Sequence, residues 1–362
     1  MIYLGAGNIM SPLGLTTSEN WNRMLCYESE IKAYDSQRTE DPKLYLSRFK
    51  DTIPFNERIK QCVEQTLLGI QMSQLDWSKT ILIFSSTKAD VEQLEDRNIE
   101  KALLDSTNQF ILKHFPAVQG ITVSNACISG ITALILAHDL VATKQYDNAL
   151  VVAADNCSTF VSEGFKSFYA IAPNFCKPYD TNREGINLGE GVASAFVSSN
   201  VSLFNDQPVI LHGGASANDA NHISGPSRTG EGLFRATVRA LKLAKKNAGD
   251  IDYISAHGTA TRYNDDMESV ALQRLGMQKT PLNSLKGYIG HTLGAAGLIE
   301  TLIAVEQMKN DTVLATKGFE EAGTVQEVNV FSTHQHKKIN TVLKNGSGFG
   351  GCNAAIILEK LT

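Results

Sequence analysis

Cys127 lies in GITVSNACISGITA (120–133), after a short β-branched run and before an apolar run of helical length. A cysteine on a strand-to-helix turn sits at the positive end of a helix dipole, a field that favours thiolate over thiol and hence a nucleophile. For a lone cysteine, a buried structural thiol is the commoner role. Four other stretches carry residue types with chemistry. In ISAHGTATRYNDDMES (254–269), His257 ends an apolar run just before Gly258. α/β proteins place site residues at such carboxyl ends of strands, and a satisfied core histidine is the equal alternative. In LNSLKGYIGHTLGAAG (282–297), Lys286 and His291 stand five apart across two glycines, ahead of a small-residue helix start. The competing reading there is a phosphate-binding turn, although the order Gly-Lys-Ser/Thr is missing. NGSGFGGCNAA (345–355) is a Gly-rich turn, suited to bringing backbone amides to a ligand or to making a tight corner. KPYDTNREGINLGEG (177–191) is rich in turn formers within a long aperiodic segment.

Alternating strands and helices must position these residues. The pattern predicts a strand in IYLGAGNIMSPLG that ends in a Gly-x-Gly turn, then a helix over 16–34 capped by Thr17 or Ser18, with Trp21, Met24 and Leu25 on one face. Residues 35–56 read as irregular, 57–72 as a helix striped by Ile59, Val63, Leu67 and Ile70, 80–87 as a strand and 91–114 as a polar helix. The strand and turn of Cys127, a helix to about Lys144 and the strand NALVVAADN follow. Residues 155–190 are aperiodic, and 192–199 return to a strand. The second half reads as a strand, glycine turn and loop over 209–219, a helix over 230–247, the strand DYISAHG, helices near 264–275 and 293–308, and strands near TVLKN and AAIILE. NACISG and GHTLGAAG hold matching places in this order. That predicts two α/β halves packed as one body, 1–205 with the cysteine and 206–362 with the histidines, the lysine and the Gly-rich turn. The lone GAG at 5–7 is not a dinucleotide fingerprint, since it lacks the third glycine and the closing acidic residue.

Composition excludes several classes. A net charge of −5 argues against general nucleic-acid affinity. The apolar runs fall short of the ~20 residues a membrane span needs. The amino terminus has no basic region before its apolar residues, so no secretory leader is expected. The six cysteines lack CxxC spacing, which argues against a zinc cluster or redox pair and for reduced thiols in a cytoplasm. No metal site is expected.

Taken together, the motifs resemble the β-ketoacyl-acyl-carrier-protein synthases, the decarboxylating condensing enzymes of fatty-acid and polyketide synthesis. A-C-x-S-G is matched by Ala126–Gly130, and A-H-G-T-x-T by Ala256–Thr261, with Asp265 and Glu268 beyond. K-x-x-x-G-H-x-x-G-A-A-G is matched by Lys286–Gly297, with Glu300 following, and G-F-G-G-x-N by Gly348–Asn353. Residues 178–191 fit P-Y/W-D…R-x-G…GEG, and NDANHISGP (218–226) is similar to a substrate-side loop. The resemblance implies a thiolase-like α/β fold, two pseudo-symmetric halves in αβαβα layers. It implies Cys127 as acyl-carrying nucleophile, with His257 and His291 as donors to the enolate formed when malonyl thioester loses CO₂. The backbone N–H groups of Cys127 and Phe349 become the oxyanion hole, and Phe349 also a gate. Lys286 becomes an electrostatic organiser paired with Glu268, supported by Asp265 and Glu300. Thr259 and Thr261 become partners of a phosphopantetheine arm brought by an acyl carrier protein, with no tightly bound cofactor. A cytoplasmic dimer is implied, of two copies or with a second synthase-like subunit. Arg58 and Lys60 are candidate carrier-docking cations. Alternatives on the same fold are a chain-length-factor-type inactive subunit, a synthase III and a thiolase.

Some positions depart from the pattern. Roughly 35 residues are missing ahead of Cys127, from the part that caps the acyl tunnel and aids dimer contact. Gly346 and Ser347 stand where a serine and a phenylalanine are usual, and Arg262 replaces a common proline. Ile128 is larger than usual and is expected to narrow the pocket beside the thiol. These changes point to a specialised pathway, such as polyene or polyketide synthesis.

Overall fold

The computed structural model describes residues 1–35, 43–219 and 225–361. The strands of its main sheet, in chain order, are β1 (Tyr3–Met10), β2 (Thr80–Ser85), β3 (Gln119–Val123), β4 (Asn148–Asp155), β5 (Gly191–Ser198), β6 (Val209–Asn218), β7 (Tyr253–Ser255), β8 (Leu282–Asn283), β9 (Thr341–Gly348) and β10 (Cys352–Lys360). The main helices are α1 (Thr17–Leu25), α2 (Phe55–Leu67), α3 (Leu104–His114), α4 (Ser129–Ala142), α5 (Thr159–Ser167), α6 (Glu231–Ala244), α7 (Arg262–Arg274) and α8 (Ala296–Lys309).

The ten strands run β8-β7-β9-β10-β6-β1-β5-β4-β2-β3. Read inward from its outer edge, each half has the same order. β3-β2-β4-β5-β1 mirrors β8-β7-β9-β10-β6: three parallel strands, then two antiparallel ones. In the sheet the halves meet where β1 pairs with β6, at Tyr3 with Ile210 and Leu4 with Val209. Strand side chains alternate between faces, and each face has its own core. Ile81 and Ile83 of β2 face a central core with α4 and α8, whereas Leu82 and Phe84 face α2 and α3. Ile254, Leu343 and Ile357 of the other half pack against α6 and α7. The layers are therefore helices, sheet, the α4/α8 pair, sheet and helices, as the resemblance implies. Cys127 and His291 each follow the third strand of their half and precede its central helix, so the matching of NACISG with GHTLGAAG holds in space.

α4 and α8 cross where both carry glycine. A Cβ on Gly130 would meet Leu298 N at 2.7 Å, and one on Gly297 would meet Ile131 N at 2.6 Å. Backbone cannot yield as a flexible side chain can, so Gly130→Ala should destabilise the protein by about 1–3 kcal/mol. A lowered midpoint in urea with unchanged slope would register this, and an unchanged midpoint would contradict it.

Several expected elements are corrected. β1 runs straight through Gly5–Gly7 as a bulge, with Ala6 at φ +48°, so there is no turn there. The helix expected over 16–34 stops at Leu25, and Ile31–Tyr34 is a strand paired with Leu44–Ser47 inside the segment taken as irregular. Its cap is Thr16, whose hydroxyl accepts from Glu19 N, and not Thr17 or Ser18. The single helix expected over 91–114 is three pieces, because Arg97 (φ +60°), Asn98 and Leu103 leave helical geometry. The aperiodic 155–190 contains α5. β6 stays extended through the expected glycine turn, with Gly213 at φ +77°.

Candidate active site

A cavity of about 610 Å³ is lined by Cys127, His257, His291, Thr259, Thr261, Arg262, Phe165, Phe168 and Phe349 among others. The motifs expected to act together therefore meet in one place.

Cys127 follows Ala126, which is held at φ +43°. The Ser129 hydroxyl locks this turn, donating to Ala126 O at 2.6 Å and accepting from Asn125 N at 2.7 Å. The sulfur thus sits one residue ahead of the residue that caps α4, Ile128. Burial pushes the thiol up to about 11, against the pull of Lys286, Lys88 and the Phe349 N–H. Burial thus opposes the thiolate that the helix field favours.

His257 is set by four successive amides. On α7, Glu268 accepts from the N–H groups of His257 (2.8 Å) and Gly258 (2.7 Å), and Asp265 from those of Thr259 (2.9 Å) and Ala260 (3.1 Å). The i, i+3 spacing puts both carboxylates on one helix face, under the loop they brace. Burial, then mutual repulsion, raises Asp265 to about 6; burial also raises Glu268. Glu268 additionally takes the Tyr179 hydroxyl at 3.0 Å.

Lys286 does not pair with Glu268. Its Nζ lies 2.8 Å from Glu300 Oε1, and it also donates to the His257 carbonyl and, at 3.4 Å, to His257 Nδ1. The lysine arises from the turn after β8 and reaches across to α8, while α7's carboxylate is already occupied by backbone. With Nδ1 accepting, the His257 proton sits on Nε2. His291 hangs on Gly290 (φ +68°), and its backbone bridges Leu188, its N–H donating to Asn187 O at 2.7 Å. The two rings meet edge to face at 5.3 Å. Both histidines lie well below their usual range, by burial and then by Lys286, so both are neutral imidazoles. His291 is 1 % exposed, and neither of its ring nitrogens has a partner among the described residues. Buried polar atoms are rarely left so, and two in one cavity-lining ring mark a site that awaits a ligand.

Phe349 lines the cavity between two rings, stacked on Phe165 and edge-on to Phe168 at 5.3 Å each. Thr259 and Thr261 line the same cavity with their hydroxyls 2.8 Å apart. Ile128 is wholly buried in the central core and does not line the cavity, so it cannot narrow it directly; at this register its side chain points between the sheets. Arg58 is 4 % exposed, paired with Asp51 and stacked on Phe49 at 3.6 Å, so it is no docking cation. Lys60 is partly exposed and pairs with Glu57. Of the expected loop at 218–226, residues 220–224 lie outside the described residues.

Sequence reasoning missed two buried charges. Asp155, at the end of β4, ties the loop after β2 to the His291 side, taking Ser86 Oγ at 2.8 Å, Thr87 N at 2.9 Å and Gly294 N at 2.7 Å. Lys344 on β9 is wholly buried, 2.6 Å from Glu300 Oε2. A lysine directly after the apolar pair Val342–Leu343 and just ahead of the Gly-rich turn was the available signal.

Comparison with known proteins gives consistent matches. Residues 208–320 match the model of the "Beta-ketoacyl synthase, C-terminal domain", and 121–171 that of "3-Oxoacyl-[acyl-carrier-protein (ACP)] synthase III". A putative mitochondrial 3-oxoacyl-[acyl-carrier-protein] synthase of Schizosaccharomyces pombe is 30% identical over 75% of this chain and 69% of its own length. 3-Oxoacyl-[acyl-carrier-protein] synthase 2 of Coxiella burnetii is 28% identical over 100% of this chain and 98% of its own. Several polyketide and 3-oxoacyl synthases match over about 60% of their own length. Among solved structures, a ketosynthase in complex with its chain length factor from Xenorhabdus doucetiae superimposes with TM-score 0.89 at 22% identity, over 99% of this chain and 98% of that one. At that identity the likeness is one of fold.

Proposed function

This chain belongs to the β-ketoacyl-acyl-carrier-protein synthases, and we propose that it condenses an acyl thioester held on Cys127 with malonyl-acyl-carrier-protein, releasing CO₂ and giving a β-ketoacyl-acyl-carrier-protein. The observation that carries this reading is the meeting of a buried thiol with two neutral imidazoles in one cavity, one imidazole without a hydrogen-bond partner among the described residues.

Each step has a residue suited to it. The Cys127 thiol passes its proton to a neutral imidazole as its sulfur attacks the incoming thioester. The proton then goes to the departing phosphopantetheine thiol. Malonyl thioester next loses CO₂, and the enolate oxygen takes hydrogen bonds from Nε2–H of His257 and from His291. Its carbon attacks the acyl-sulfur bond, the N–H groups of Cys127 and Phe349 hold the second oxyanion, and Cys127 leaves as thiolate. Phe349 gates the cavity between its two aromatic neighbours. Thr259 and Thr261 take the polar groups of the phosphopantetheine arm. Glu268 and Asp265 hold the His257 loop, and Glu300 holds Lys286. The carrier protein is the thioester donor. A dimer, a cytoplasmic setting and a division into halves 1–205 and 206–362 complete the reading. Among the described residues no helix is long and apolar enough to cross a membrane.

Mass spectrometry after exposure to acyl carrier proteins of differing chain length should find one acyl adduct, on a peptide containing Cys127. Malonyl-acyl-carrier-protein should then discharge it with release of CO₂. Acyl cleavage that needs free coenzyme A and no malonyl group would mean a thiolase instead, with Cys352 of the same cavity as its second thiol. No adduct from any chain would favour a chain-length-factor role.

A further inference from the structure

Lys344 has no role in the steps above, yet it is wholly buried beside them. Its ammonium lies 2.6 Å from Glu300 Oε2 and 2.6 Å from Asn345 O, with Ser255 O and Ala256 O at 3.3 and 3.5 Å. The other oxygen of Glu300 takes Lys286, and Lys286 in turn touches the His257 carbonyl and Nδ1. The four groups form one chain, Lys344–Glu300–Lys286–His257. A carboxylate gripped by one ammonium is a neutral pair with a rotatable end. Gripped from both sides it cannot turn, and the cluster carries surplus positive charge.

We propose that Lys344 is a positioning residue for the condensation: by gripping the second oxygen of Glu300 it holds Lys286 on His257, keeping the imidazole proton on Nε2, and its charge opposes protonation of either histidine. This rests on the function proposed above. The charged groups facing Lys344 are Glu300 on α8, Lys286 on the turn after β8 and Glu268 on α7. Those facing His257 are Lys286, Lys344 and His291; those facing His291 are Lys286, Lys88 and Lys344. The burial that lowers Lys344 and the two ammonium groups that hold Glu300 below the carboxylate range, against its own burial, agree with this arrangement. The working imidazoles are neutral, so activity falls as pH drops through their pKa. Removing a nearby positive charge raises that pKa and moves the acid limb upward.

Lys344→Gln keeps a donor for Glu300 and removes the charge. The pH profile of malonyl-thioester decarboxylation should shift its acid limb up by about one unit, roughly a tenfold loss on the acid side with little loss at alkaline pH. An equal proportional loss at every pH would mean a merely structural lysine and would overturn the proposal. Should the variant not fold, ¹⁵N-histidine spectra of the unaltered protein decide. They should show His257 neutral at pH 6 with its proton on Nε2, and a proton on Nδ1 or titration near the ordinary value would overturn it. If the unaltered protein neither takes an acyl group nor decarboxylates, the proposed function fails, and the same spectra still test the lysine.

Discussion

Cys127→Ala should leave no acyl adduct and should lower condensation by on the order of 10⁴ or more, while malonyl decarboxylation continues. The two outcomes separate because they use different atoms. Acyl transfer needs the sulfur, and nothing else in the cavity replaces it: Cys352 lines the same cavity, but burial pushes its thiol up to about 12, and its sulfur is turned to the carbonyls of Phe349 and Asn125. Decarboxylation needs only donors to the enolate, and the histidines keep their supports without the sulfur: the His257 loop rests on α7, and His291 on the Leu188 bridge. Intact mass after acyl-carrier-protein exposure, and CO₂ released from malonyl thioester, measure the two halves of the result. An acyl group found on Cys352 of the variant would remove Cys127 from its proposed role.

His291→Ala should have the opposite signature. Losing one preorganised donor to a developing oxyanion costs roughly 10²–10³ in rate. Decarboxylation should fall by about that factor, and acylation of Cys127 should slow less, since its oxyanion is held by the N–H groups of Cys127 and Phe349 and not by His291. The ring makes no hydrogen bond to the described protein, so its removal breaks no internal network. That makes it a cleaner probe than His257, whose Nδ1 and backbone are tied to Lys286, Glu268 and the loop beneath. Equal losses in acylation and decarboxylation would instead assign His291 to the first step.

Much of this site was legible in the sequence because its chemistry is local. Cys127 with its small-residue turn, His257 before Gly258, and His291 before GAAG each carry their context within a few residues. The continuous apolar run Ile81–Phe84 likewise announced a central strand. What could not be read was which distant group meets which. Lys286 is as reasonable a partner for Glu268 as for Glu300 when only the order of residues is known; the choice is made because Glu268 is consumed by backbone amides. Arg58 looked like a surface cation opening a helix, and only the fold shows it laid over Phe49 with Asp51 at its tip. The segment at 91–114 had the composition of a helix without the apolar stripe needed to dock one, and it broke into pieces. Lys344 is the sharpest case, since the carboxylate paired with it comes from another layer.

The backbone contact between Gly130 and Gly297 has a bearing on how the protein can diversify. It welds the start of the helix behind the thiol to the start of the helix behind His291. The Cys127 thiol and the His291 imidazole therefore ride on a single rigid strut, which resists their gradual separation. New substrates would then be admitted by change at the cavity wall, where Phe349 packs against Phe165 and Phe168. In such a molecule the reaction is inherited whole, and the choice of chain is left free to wander.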